Sequence, residues 1–250
     1  MAVMTMDFYS KELKMSTLLT MIVPDSIRIE QTPVSQRKCL YLLHGLSDDA
    51  SAYLRLSKVE LYAMETGIVI IMPSAGRSMY CDGINGQNWF SHIANEVPEY
   101  LKLVMGISPE RKNSYIAGIS MGGMGAAKVA LTYPERYTKV GLFSGLLDIK
   151  MLAPLITEEQ KLEFPFLVSA ADDVDNTPLN PINLLDAKKH KDLEILVRCG
   201  EQDELFLMSQ TFCERAKGLN LNITSVYEEG KHEWRLWDRY LDDFIKEMAV

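Results

Sequence analysis

Gly118-Ile119-Ser120-Met121-Gly122 decides how this chain is read. The pentapeptide lies between an apolar run, Ser114-Tyr115-Ile116-Ala117, with strand character and a small-residue stretch, Met121 to Leu131 (MGGMGAAKVAL), with helix character. A serine at such a strand-to-helix elbow is forced into an unfavourable backbone conformation, so the residues two positions away must lack clashing side chains. Gly118 and Gly122 meet that need. The turn lifts the hydroxyl out of the sheet. The helix N-terminus behind it offers free N–H groups and a partial positive charge to a developing oxyanion.

Working outward, apolar runs alternate with helix-length segments. Strands are expected at Lys38-Leu43, Gly67-Met72, Ser114-Ala117, Val140-Phe143, Leu193-Cys199 and Ile223-Tyr227. Helices are expected at Leu54-Glu65, Glu96-Met105, Gly122-Tyr133, Leu205-Lys217 and Glu233-Glu247. This alternation predicts an α/β fold, with a mostly parallel sheet flanked by helices. Before the first crossover, Ser16 to Pro24 and Ile27 to Gln31 read as a two-stranded antiparallel start. The rhythm breaks from Asp148 to His190, where Pro154, Pro165, Pro178 and Pro181 and acidic clusters leave no sustained period. That segment is expected to be a cap-like insertion within a single domain spanning 1-250, or else a surface loop.

A serine hydroxyl needs a base, and the base needs an orienting carboxylate. Among four histidines, His232 stands in the loop after the last expected strand and before the last helix, at the carboxyl end of the sheet. Asp203 ends the segment Arg198-Cys199-Gly200-Glu201-Gln202-Asp203 after the preceding strand. The order Ser120, Asp203, His232 is that of α/β-hydrolase triads. Asp203 could simply be an N-cap for the next helix, Glu201 is its nearest rival as the acid, and Asp172, Asp173 and Asp175 are weaker rivals within the insertion. The oxyanion donors are expected to be the backbone N–H groups of Met121, after the nucleophile, and Leu46, in the loop after the first parallel strand. His44 reads as a hydrogen-bond partner that fixes this loop. His92 and His190 read as structural. Trp89, Phe90 and Trp234 are candidates for an acyl pocket, although aromatic residues near helix starts more often fill the core.

Composition bounds the partners. The chain has 250 residues, 47% of them hydrophobic, enough for a sizeable core, and a net charge of -8 that disfavours nucleic acid or an anionic membrane surface. Cys39, Cys81, Cys199 and Cys213 show no paired spacing and are expected as free thiols in a reducing compartment. The N-terminal stretch shows no targeting pattern, and the apolar runs fall far below the ~20 residues that span a bilayer. A cytoplasmic protein without membrane or nucleic-acid partners is the expectation.

Together, YLLHGLSDD, GISMGG, the GEQD loop and GKHEW resemble the esterase D and S-formylglutathione hydrolase family, particularly the tributyrin esterases of Gram-positive cocci. The likeness extends to Met72-Pro73-Ser74 and Asn88-Trp89 and runs over most of the chain. It implies an α/β-hydrolase fold, hydrolysis of short-acyl esters by Ser120, Asp203 and His232 with Leu46 and Met121 as oxyanion donors, no metal or cofactor, and assembly into dimers or tetramers. Alternative readings are an acyltransferase, an S-formylglutathione hydrolase-type thioesterase, and a non-catalytic binding scaffold. The insertion is too short and polar to resemble the lid of a long-chain lipase.

Overall fold

The computed structural model describes residues 1–25, 32, 36–152, 157–164 and 177–249. Its strands are β1 (Ala2–Ser10), β2 (Met15–Val23), β3 (Cys39–Leu43), β4 (Val69–Pro73), β5 (Asp82–Ile84), β6 (Gln87–Asn88), β7 (Ser114–Ile119), β8 (Lys139–Phe143), β9 (Glu194–Gly200) and β10 (Ile223–Glu228). Its helices are α1 (Ala52–Leu56), α2 (Val59–Thr66), α3 (Trp89–Ser91), α4 (Val97–Met105), α5 (Met121–Thr132), α6 (Glu158–Glu163), α7 (Phe206–Gly218) and α8 (Trp234–Ala249).

Eight strands form one sheet in the order β1-β2-β4-β3-β7-β8-β9-β10, while β5 and β6 form a separate hairpin. From β4 to β10 every pairing is parallel, whereas β2 pairs antiparallel with both β1 and β4. This is an α/β-hydrolase fold. Strands β3, β4, β7 and β8 are buried at nearly every position, as strands covered on both faces must be. One apolar cluster, including Leu43, Met124 and Leu147, packs on one face of the sheet; a second, including Leu42, Phe143 and Phe244, packs on the other. The chain leaves β3 toward β4 on one side and returns to β7 on the other, so a switch point opens at the carboxyl ends of β3 and β7.

Three sequence expectations need correction. The partner of the Ser16–Pro24 region is the preceding strand, with Ala2 opposite Val23 and Ser10 opposite Met15; Ile27 to Gln31 lies outside the described residues. Lys14 at φ 57 closes the turn, and the Ser10 hydroxyl accepts from Leu13 N–H at 3.0 Å. The helix expected over Leu54-Glu65 is two helices, because Ser57 Oγ donates to the Tyr53 carbonyl and accepts from Val59 N–H, competing with the helical pattern. The Glu96-Met105 helix begins earlier, through α3 and a π-helical turn at His92–Glu96.

Candidate active site

Ser120 sits between β7 and α5 at φ 53, ψ -119, a conformation uncommon for a residue with a side chain. The elbow is built by close backbone approach. A Cβ on Gly118 would lie 2.2 Å from the Gly122 carbonyl oxygen, and one on Gly122 would lie 2.1 Å from that of Leu43. The Ser120 N–H donates to the Phe143 carbonyl at 3.0 Å, tying the elbow to the end of β8.

Asp203 and His232 arrive from the loops after β9 and β10. Those loops are tied together: Glu201 N–H donates to the Glu228 carbonyl, Gln202 N–H to Gly230, and Gly230 N–H to Gln202 Oε1. Gly230 stands at φ 145, and a Cβ there would meet Leu236 at 2.5 Å. His232 Nδ1 lies 2.9 and 3.0 Å from the two Asp203 carboxylate oxygens, and His232 Nε2 lies 3.0 Å from Ser120 Oγ. With Nδ1–H donating to the carboxylate, Nε2 is left to accept the serine proton.

The Asp203 side chain is fully buried, yet its carboxyl is held below the ordinary range. Burial alone would raise it. The hydrogen bond and charge of His232, the Ser144 hydroxyl and the Leu205 N–H outweigh that burial. Leu205 N–H donates to Asp203 Oδ1 at 2.8 Å, so the aspartate both orders the turn ahead of α7 and faces His232. Glu201 is exposed and is not the histidine's partner among the described residues; Asp172, Asp173 and Asp175 lie outside them. Asp203, Glu204 and His232 present ligand-type atoms within 4.8 Å of one another, but Asp203 and His232 are bonded to each other, leaving only exposed Glu204 free for a cation.

Leu46 and Met121 flank the serine on the loop after β3 and the first turn of α5. Among the described residues neither backbone N–H has a hydrogen-bond partner. The loop bearing Leu46 is held by neighbours: Tyr53 OH donates to the Leu43 carbonyl, and Tyr80 OH to that of His44. His44 Nδ1 bonds the Gly45 carbonyl at 2.7 Å, and Nε2 accepts from Ala75 N–H at 2.9 Å, which only the neutral Nδ1–H tautomer can satisfy. Burial lowers its proton affinity, offset in part by the Gly45 carbonyl and by Asp48 and Asp49. His92 and His190 are buried well inside the molecule.

A cleft of about 220 Å³ opens over Ser120 and His232, with Leu46, Met79, Leu146, Leu152, Phe164 and Leu205 as its apolar lining and Gln160 and Glu204 as polar lining. Trp89, Phe90 and Trp234 are not in this lining. Trp89 packs at Gly76 and edge-on to His92, Phe90 stacks on Tyr133, and Trp234 packs against Tyr53 and Trp237. Trp89 belongs to the core, and Phe90 and Trp234 are partly buried and pack against it. Leu152, Gln160 and Phe164 come from the 148–190 segment, where Arg77 pairs with Glu163 through both oxygens and lies over the Phe164 ring.

Sequence reasoning missed Ser144 and Trp237. Trp237 Nε1–H donates to Ser144 Oγ at 3.0 Å, and the Trp237 ring meets His232 edge-on with centroids 4.8 Å apart. Neither sits in a motif; the signal was only an apolar strand ending in a polar residue, Phe143-Ser144.

A serine over the switch point of a parallel sheet, with a histidine and a carboxylate from two later strand-end loops, defines an α/β-hydrolase. The chain belongs to the putative esterase family, which it matches over residues 10–248. It is 24% identical over 266 residues to an acetyl esterase of Caldicellulosiruptor saccharolyticus, covering 100% of this chain and 98% of that protein. Two Staphylococcus aureus structures superpose at a TM-score of 0.88. One is an S-formylglutathione hydrolase, 29% identical, covering 100% of this chain and 99% of that one. The other is a fluorophosphonate-binding serine hydrolase, 28% identical, covering 100% and 98%. The protein is a carboxylic ester hydrolase. No helix among the described residues is long and apolar enough to cross a membrane.

Proposed function

We propose that the protein hydrolyses short-chain acyl esters through an acyl-serine intermediate on Ser120. The observation that carries this reading is the unbroken chain of contacts from Ser120 Oγ through His232 to the buried Asp203 carboxylate. His232 Nε2 takes the Ser120 proton as the oxygen attacks the ester carbonyl. The oxyanion rests on the N–H groups of Met121 and Leu46, and collapse expels the alcohol as His232 returns the proton. Water, activated by the same imidazole, then releases the acid. Asp203 keeps the imidazole in the useful tautomer and stabilises its cation.

Short acyl chains are supported by the cleft. At about 220 Å³ it falls below the ~300 Å³ at which pockets for drug-sized ligands begin, and most of its lining side chains are apolar. The described part of the 148–190 segment acts as a small cap, since it contributes Leu152, Gln160 and Phe164 to that wall. All four cysteines are buried free thiols, in keeping with a cytoplasmic location. Initial rates on nitrophenyl esters from acetate to palmitate test the reading. Rates are expected to be highest on the short esters and to collapse on the long ones; a maximum at palmitate, or no hydrolysis of any ester, would sink it.

A further inference from the structure

We propose that Lys128 is a positioning residue for the oxyanion hole and acts through Tyr80, which it fixes against the loop bearing Leu46. The inference rests on the esterase reading above, with Leu46 as an oxyanion donor, and adds two residues that lie outside the cleft lining. Lys128 stands on α5, the helix that follows Ser120, and is buried, with 4% of the residue exposed. A buried ammonium normally sits beside a carboxylate. Among the described residues Lys128 Nζ has none. It donates to the Tyr80 carbonyl at 2.7 Å and to Cys81 Sγ at 3.1 Å, and it lies 5.6 Å from the centre of the Phe90 ring. A cation kept out of water without a counter-charge is a costly way to satisfy one main-chain carbonyl, which marks the stretch of backbone it holds.

That stretch is strained. Met79 and Tyr80 follow one another at φ 50 and φ 49, a region that favours glycine, asparagine and aspartate. The turn is closed by Cys81 N–H on the Ser78 carbonyl and by Tyr80 N–H on Ser78 Oγ, both at 3.1 Å. Lys128 adds the bond that ties it to α5. The same helix has no side chain at Gly125, where a Cβ would lie 2.5 Å from the Tyr80 ring, so the ring and the carbonyl of Tyr80 are seated on one helix face three residues apart. From that seat the Tyr80 hydroxyl donates to the His44 carbonyl at 3.1 Å, two residues before Leu46. The strut therefore runs from α5, which carries Ser120 at its start, through Lys128 and Tyr80 to the oxyanion loop. It sets the place of the Leu46 N–H relative to the nucleophile. Met79, the other half of the turn, lines the cleft.

The test compares Tyr80→Phe, Lys128→Met and the double variant with wild type, measuring kcat and KM on nitrophenyl butyrate together with the melting temperature. Tyr80→Phe deletes one hydroxyl and keeps the ring on Gly125, while Lys128→Met keeps the shape of the side chain without its charge, so neither opens a cavity. Each single variant is expected to lose about 10- to 100-fold in kcat; KM should stay within about twofold in Tyr80→Phe and rise in Lys128→Met, whose turn also carries Met79. Because both act through one strut, the double variant should lose no more than about twofold beyond the worse single. Inhibition by a short alkyl trifluoromethyl ketone reads the oxyanion site itself: Ser120 Oγ adds to the ketone carbon, its proton passes to His232, and the negative oxygen takes the place of the reaction's oxyanion. Its inhibition constant should rise in each variant by about the factor by which kcat/KM falls. Losses in kcat under about twofold, losses that multiply in the double variant, an inhibition constant that does not move, or losses that track unfolding each overturn the proposal. A wild type that hydrolyses no ester is the separate failure of the esterase reading. Hemiketal formation followed by fluorine NMR then decides: a signal that shifts or weakens in Tyr80→Phe upholds the strut, and one that is unchanged, or that never forms in wild type, overturns it.

Discussion

The N–H of Ser120 donates to the carbonyl of Phe143 at 3.0 Å, and the next residue in the chain, Ser144, accepts from Trp237 Nε1–H at 3.0 Å. The end of β8 therefore holds the serine elbow with a backbone acceptor and receives the indole N–H of Trp237, whose ring packs edge-on against His232. A distortion there reaches Ser120 directly and His232 through Trp237.

Asp203→Asn tests the orienting role of the acid. The asparagine amide preserves the shape but can present N–H to His232 Nδ1, favouring the tautomer that cannot accept the serine proton. A fall in kcat of about 10⁴ with the fold intact is expected, read from steady-state rates and circular dichroism. A loss under tenfold would mean that another group orients the imidazole.

Gly122→Ala tests the elbow as a packing requirement. The added Cβ would stand 2.1 Å from the Leu43 carbonyl oxygen and 2.7 Å from that of His44, backbone atoms with no side chain to swing away. Destabilisation of about 4 kcal/mol or more is expected, measured by urea unfolding or seen as loss of soluble protein. A variant as stable as wild type would contradict the elbow geometry.

Acid should destabilise the fold through buried histidines. His44, His190 and His92 are each held below the ordinary value of 6.5, with burial as the first cause. His190 Nδ1 accepts from Asp186 N–H, and its Nε2–H donates to the Leu131 carbonyl, so like His44 it fits only as the neutral ring. The unfolded chain binds protons first as pH falls. Stability is thus fully present above about pH 6.5 and is lost as pH falls through the lowered folded values. The urea midpoint should drop between about pH 7.5 and about pH 5. A midpoint that stays level or rises would refute this.

Phe164→Ala tests the cap as the limit on acyl length. Phe164 is buried, lines the cleft and lies under the Arg77 guanidinium. Removing the ring should move the preferred nitrophenyl ester toward longer chains while leaving Ser120 labelling by a fluorophosphonate intact. An unchanged chain-length profile would place the acyl group elsewhere.

Much of this architecture was legible in the sequence because its determinants are local. The elbow needs glycines beside its serine, buried parallel strands need unbroken apolar runs such as Cys39–Leu43, and the order Ser120, Asp203, His232 follows from which strand ends face the crevice. The N-terminal hairpin was misread because its partner choice depends on register, with Ala2 opposite Val23, which neighbouring residues do not encode. The aromatic residues left pocket and core both open for a related reason. Trp89, Phe90 and Trp234 have the composition of a pocket wall, but packing directions known only in three dimensions set them against His92, Tyr133 and Trp237 and outside the cleft lining. Ser144 and Trp237 escaped notice because they meet across 93 positions of sequence.

The central claim is that Ser120 carries the acyl group. Its most direct test is rapid acid quench of the enzyme turning over nitrophenyl butyrate, followed by peptide mass analysis, with Ser120→Ala in parallel. The account expects a butyryl mass on the peptide containing Ser120 in wild type, and neither that mass nor hydrolysis above about 10⁻⁴ of the wild-type rate in the variant. Acylation at another residue, or an alanine variant that hydrolyses at the wild-type rate, would contradict it.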